Sequence, residues 1–124
     1  MWTYLAVALG GAAGCCARYG LTQLVQVLYG RSFPLATLII NVLGCFLMGF
    51  LFFVTIERVS MNPTLRTAIL AGGLGGFTTF STFAMESLLL FEDRETGYAV
   101  LYLGLSVFLG LLAALLGAYI ARNI

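Results

Sequence analysis

The residues able to do chemistry are few and mostly neutral. There is no histidine in the 124 residues, so Ser-His-Asp and Cys-His nucleophile systems and His-ligated metal sites are excluded. Cys15, Cys16 and Cys45 form no Cys-x-x-Cys pair and carry no assigned chemistry. The hydroxyl, amide and aromatic groups that lie inside apolar stretches are more informative. Residues 71–83 read Ala-Gly-Gly-Leu-Gly-Gly-Phe-Thr-Thr-Phe-Ser-Thr-Phe. At 100° per residue, Phe77, Phe80 and Phe83 share one face, Gly75, Thr79, Thr82 and Glu86 fall on the next, and Thr78 and Ser81 lie beyond. Thr37, Asn41 and Gly44 follow one another along a second segment. Tyr102, Ser106 and Gly110 do so along a third, at i, i+4 and i+8. Together they offer O–H and N–H donors beside benzene edges, which carry partial positive charge. Such a lining suits a small, strongly hydrogen-bonding anion better than a cation, which would need carboxylates or rings of carbonyls.

These residues must be positioned by membrane helices. The chain is 61% hydrophobic and 9% charged, with a mean hydropathy of +1.04. An ordinary soluble domain is about 25% charged. Six Arg, no Lys and five acids give a net charge of +1, which leaves no basic patch for nucleic acid. A span takes roughly 20 residues, so the length holds four helices, expected over 2–28, 35–57, 64–91 and 97–121 in a single domain. The charges and turn formers sit between them, around Tyr29–Pro34, Glu57–Pro63 and Glu92–Gly97. No basic leader or cleavage site precedes the first segment, which therefore reads as a mature span.

Four Gly within five residues at mid-span weaken the third helix, each by about 1 kcal/mol relative to Ala. One reading is close helix packing, since Gly72 and Gly76 fit the small-xxx-small spacing. The other is a broken helix whose freed carbonyls bind a cation or line a path. Freed carbonyls survive in a membrane only where protein or a cavity satisfies them. Asn41 is read either as a helix–helix hydrogen bond or as an amide donor to an anion. Glu86, the one acid well inside an apolar stretch, is a functional candidate by default. Arg18 is a snorkelling anchor or a vestibule charge.

Topology usually follows a Lys/Arg bias. Here Arg58, Arg66 and Arg122 on one side face Arg31 and Arg94 on the other, with Arg18 two-thirds along the first span, so the bias is nearly absent. The chain also has no convincing internal repeat. Either a weaker cue sets one orientation, or the chain inserts both ways and pairs with its inverted copy as an antiparallel, dual-topology homodimer of an all-α membrane protein.

Three spaced motifs carry a resemblance over essentially the whole chain. Gly75-Gly76-Phe77-Thr78-Thr79-Phe80-Ser81-Thr82-Phe83 resembles the third-helix signature of the bacterial fluoride channels of the CrcB or Fluc family. Gly10-Gly11-Ala12-Ala13-Gly14 with Ala17-Arg18-Tyr19 resembles the first-helix motif. Thr37-Leu38-Ile39-Ile40-Asn41-Val42-Leu43-Gly44 resembles the second. The resemblance implies a fluoride-selective channel of the bacterial inner membrane, not an enzyme, exporting fluoride passively through two pores per antiparallel dimer. It implies that Phe80 and Phe83 face the fluoride path, with Asn41 as pore asparagine, Ser81 and Thr82 beside the rings, and Thr37, Tyr102 and Ser106 as further polar lining. Gly110 stands where some relatives continue that lining with Ser. It further implies a structural sodium on the dimer axis, held by backbone carbonyls of Gly75 and Thr78, and a vestibule arginine at Arg18. For Glu86 it supplies no firm role.

Two alternatives belong to other classes. A small multidrug-type proton-coupled exporter also has four spans, but it needs an early membrane-embedded carboxylate, and no acid precedes Glu57. A non-transporting scaffold would use the Gly and Phe residues for packing alone. No P-loop motif supplies an energy source.

Overall fold

The computed structural model describes all residues from Met1 to Ile124 and is helical throughout. Helix α1 spans Trp2–Tyr29 and ends at Gly30, whose φ of 80° requires a residue without a Cβ. Helix α2 spans Leu35–Phe53 and runs on as a wider π-helical turn, Val54–Arg58. Helix α3 covers 63–77. It starts with Pro63–Thr67, widens into π-helix over Ala68–Leu74, and closes with Gly75–Phe77. Helix α4 spans Phe80–Glu92 and α5 spans Thr96–Asn123. The start of α3 is legible in its residues: Pro63 sits at the first helical position, and the Asn62 side chain accepts from the Thr64 N–H at 2.8 Å.

Three helical runs are long and apolar enough to cross a membrane: Leu35–Arg58, Pro63–Glu92 and Thr96–Asn123. Helix α1 matches them in length at 28 residues. Only 18 of the 124 residues are buried, while Leu9, Leu24, Val107, Leu111 and Leu115 are exposed. Most of the apolar surface therefore faces outward, as it does when lipid replaces water as the solvent.

Backbones approach one another wherever glycines allow it. A Cβ on Gly14 would lie 2.0 Å from the Gly73 carbonyl oxygen, and one on Gly10 would lie 2.2 Å from that of Ala68. From the other side, a Cβ on Gly72 would lie 2.6 Å from the Val7 oxygen and one on Gly76 2.7 Å from the Gly11 oxygen. Two small-xxx-small faces thus seat α1 on α3. The α2–α5 pair uses the same device, with Gly49 against Ala114 and Gly117 against Phe46. Dispersion and weak C–H···O contacts hold such seams, because lipid tails provide no hydrophobic drive between helices.

The third segment is both closely packed and broken, and the break is not at the glycines. Gly72 through Phe77 stay helical, and the chain turns extended at Thr78 (φ −80°, ψ 158°) and Thr79 (φ −151°, ψ 119°). β-Branched Thr tolerates extended backbone, and its hydroxyl can cap the next helix, which glycine cannot do. The break also corrects the continuous projection. Phe80 and Phe83 stay together, with ring centroids 5.6 Å apart, whereas Phe77 lies on the other side of the break, against Gly44 and apart from that pair.

The seams make a direct prediction. Gly14→Ala and Gly117→Ala should each cost about 1–3 kcal/mol through overpacking against backbone. Gly97→Ala, where a Cβ meets nothing within 4 Å, should be neutral or stabilising. Thermal unfolding of the detergent-solubilised protein tests all three.

Candidate functional site

The break is held by one side chain. Asn41 on α2 reaches across and bonds Thr79 twice: its Oδ1 accepts from the Thr79 N–H at 2.9 Å, and its Nδ2 donates to the Thr79 carbonyl at 3.0 Å. The extended residue thereby has both backbone groups satisfied inside the membrane span, as an apolar surrounding requires. One N–H of the Asn41 amide is left over from this bridge. The helix–helix reading of Asn41 is thus seen directly, and one N–H of its amide stays unpaired.

Four carbonyls, those of Gly75, Gly76, Phe77 and Thr78, lose their usual i+4 partners at the break. In a continuous helix Gly75 would accept from Thr79, but that N–H goes to Asn41. Thr78 would accept from Thr82, but the Thr82 N–H goes to the Thr79 hydroxyl at 3.3 Å. The same hydroxyl lies 3.0 Å from the Thr82 Oγ1. The Gly76 carbonyl accepts from Arg18 Nε at 3.1 Å, so Arg18 is tied to the broken helix and does not simply snorkel outward. Its Nη2 lies 3.7 Å from the Cys15 sulfur.

Above the break, Glu86 collects two hydroxyls. Thr37, 3% exposed, donates to its Oε1 at 2.9 Å, and Tyr102, fully buried, donates to its Oε2 at 2.7 Å. This triad joins α2, α4 and α5. Thr37 and Tyr102 are thus committed to a carboxylate and are not free donors. The Tyr102 ring sits 5.2 Å from Phe83 and 5.7 Å from Phe33, within the apolar core of Leu38, Leu90 and Ala99.

Two cavities meet at Thr79. A polar one of about 500 Å³ is lined by Arg18, Gln23, Gln26, Arg31, Thr37, Thr79, Thr82 and Glu86, among others. A more apolar one of about 340 Å³ is lined by Asn41, Gly44, Cys45, Met48, Thr78, Thr79, Phe80, Phe83, Ser106 and Val107. Of the residues singled out from sequence, Asn41, Phe80, Phe83, Ser106 and Thr78 share the second cavity, and Arg18, Thr37 and Thr82 the first. Ser81 is exposed and lines neither, and Tyr102 stands behind Glu86. Gly75 is exposed on the outer side of α3. Ser106 Oγ is buried without any hydrogen-bond partner. Thr79, the residue common to both cavities, falls on the polar face in the sequence projection but is not among the site residues the resemblance implies. Its capping role appears only once the break is located.

Residues 5–118 match the family model described as CrcB-like protein, Camphor Resistance (CrcB). The chain is 56% identical over 121 residues to the fluoride-specific ion channel FluC of Acidithiobacillus ferrooxidans, covering 98% of this chain and 97% of that one. It is 47% identical over 118 residues to the protein of the same name in Magnetococcus marinus, covering 95% and 96%. The Thermus thermophilus relative of that name is 47% identical over 117 residues, covering 94% and 93%. With its long apolar helices, the chain is a multi-pass protein of the bacterial inner membrane. A broken third helix pinned by an asparagine, and a match that runs nearly end to end, make this chain a member of the CrcB family.

Proposed function

We propose that the protein is a fluoride-selective channel that lets fluoride leave the cell passively, and that it performs no catalysis. The observation that carries this reading is the meeting of two differently lined cavities at Thr79, with no charged side chain in the second. The names of the relatives agree with it. Fluoride enters the polar cavity, where the Arg18 and Arg31 guanidiniums favour an anion and Gln23, Gln26 and Thr82 replace its water. It passes the Thr79–Asn41 bridge and meets the spare Asn41 N–H, the Ser106 hydroxyl and the edges of Phe80 and Phe83. Donors of fixed length around a narrow path favour the smaller, more strongly hydrogen-bonding halide over chloride.

The active unit in this reading is an antiparallel homodimer of a four-span chain, with two pores. Phe80 supports it: the ring is 79% exposed in the single chain, although it belongs to the cavity wall at mid-span. A second, inverted copy would cover it. The Gly75 and Thr78 carbonyls, deprived of their helical donors, fit a sodium ion shared with the same carbonyls of the partner. Such an ion supplies structural bonding and a positive potential at the centre. Within this chain, the residues that serve it are Asn41 and Thr79, which draw away the competing N–H groups.

A fluoride-electrode efflux assay on purified protein in liposomes tests the function. Asn41→Asp and Phe80→Ile should abolish efflux while the dimer still forms on size-exclusion chromatography; normal flux in both would remove these residues from the path. Tyr102→Phe should lower stability by about 1 kcal/mol, since it leaves a half-buried carboxylate oxygen without its donor. Replacing sodium by N-methylglucamine on both sides should reduce flux and weaken the dimer, and sodium should restore both.

A further inference from the structure

The second cavity holds two sulfur atoms that the fluoride reading does not use. Cys45 and Met48 stand three residues apart on α2, so they share a helix face, and both line this cavity. The Cys45 thiol is free, and its sulfur lies 3.4 Å from where a Cβ on Gly110 would stand. Because Gly110 has no side chain, the sulfur occupies the space between α2 and α5. Ser106, one turn before Gly110, contributes an orphaned oxygen to the same wall. Among its lining residues there is no carboxylate and no imidazole. Hard divalent cations such as Ca²⁺ or Mg²⁺, which want charged oxygen ligands in number, find no carboxylate here. A thiolate with a thioether is instead a donor set for soft monovalent ions.

We propose that this cavity is a binding site for a soft monovalent metal ion of the Ag⁺ or Cu⁺ class, held by the Cys45 thiolate and the Met48 thioether, and that its occupancy plugs the fluoride path. The second half of the proposal rests on the channel reading above. Binding is a ligand exchange: the thiol releases its proton to solvent, the sulfur–metal bond forms, the thioether donates a lone pair, and nothing is oxidised. The bound ion and the fluoride path occupy the same space, beside Asn41, Phe83 and Ser106. The other two thiols do not reproduce this set. Cys15 and Cys16 are exposed on α1, and Cys15 lines the polar cavity beside Arg18 and Arg31, whose charges repel a cation and where no methionine is present.

The test uses silver nitrate in chloride-free buffer, with the full-length protein in liposomes and a fluoride electrode. Silver should reduce efflux by about tenfold or more, as expected for a filled ion-sized passage. The block should persist in Cys15→Ser/Cys16→Ser, disappear when Cys45→Ser is added, and need several-fold more silver in Met48→Leu. Each variant is scored against its own silver-free flux. A conducting protein that ignores saturating silver overturns the proposal and leaves the channel reading standing. Block that survives Cys45→Ser overturns it as well. Metal binding is read independently of flux by native mass spectrometry of the purified protein. One silver per chain is expected in Cys15→Ser/Cys16→Ser and none once Cys45→Ser is added. Equal silver in both overturns the site even if the protein conducts no fluoride at all.

Discussion

A peptide group that leaves the helix inside a membrane must find another partner, and in this protein that partner is Asn41. Its amide is the one neutral side chain, besides that of Gln, that both accepts and donates in the plane of a peptide. It therefore satisfies the N–H and the C=O of Thr79 together. An apolar residue at position 41 would leave two polar groups in a low-dielectric surrounding, each costing several kcal/mol. The remainder of the centre follows from that bridge. With the Thr79 N–H taken, the Gly75 carbonyl is released; with the Thr79 hydroxyl on Thr82, the Thr78 carbonyl is released and α4 receives its cap.

Close packing and the break reinforce each other. The glycines let α1 approach α3 so nearly that a single Cβ would collide with main-chain oxygen. That contact brings Arg18 within reach of the Gly76 carbonyl, which satisfies one more group near the discontinuity. It also coincides with the π-helical widening over Ala68–Leu74, the stretch seated on Gly10 and Gly14. π-Helical turns often accompany functional sites, because they re-aim the residues that follow. Here those residues are Thr78, Thr79 and the two phenylalanines.

The polar groups of the site divide into those that hold the architecture and those left to meet a ligand. Thr37 and Tyr102 both donate to Glu86 and tie α2, α4 and α5 together beside Phe83. Arg18 and Asn41 do part of each task. Ser106 and the second Asn41 N–H stay uncommitted. In the channel we propose, a small anion that loses its water meets such donors already fixed in place, so that little reorganisation accompanies its passage.

Local features of the chain specify the solvent and the elements. Low charge, apolar runs of span length and charged turns dictate membrane helices, since each of these is local and additive along the chain. The Gly-Gly-Phe-Thr-Thr-Phe-Ser-Thr-Phe run and the Thr37–Asn41 spacing marked the right region for the same reason. The tertiary structure alone decided which backbone bonds were broken. Glycine content pointed to residues 72–76, but interhelical contact keeps those residues helical and moves the break to Thr78–Thr79, where Asn41 waits 38 positions away in sequence. Glu86 had no assignable role until Thr37, 49 residues distant, and Tyr102, 16 distant, were brought to its two oxygens. Hydrogen bonds over such separations leave no periodicity to read. They exist only after the helices have packed.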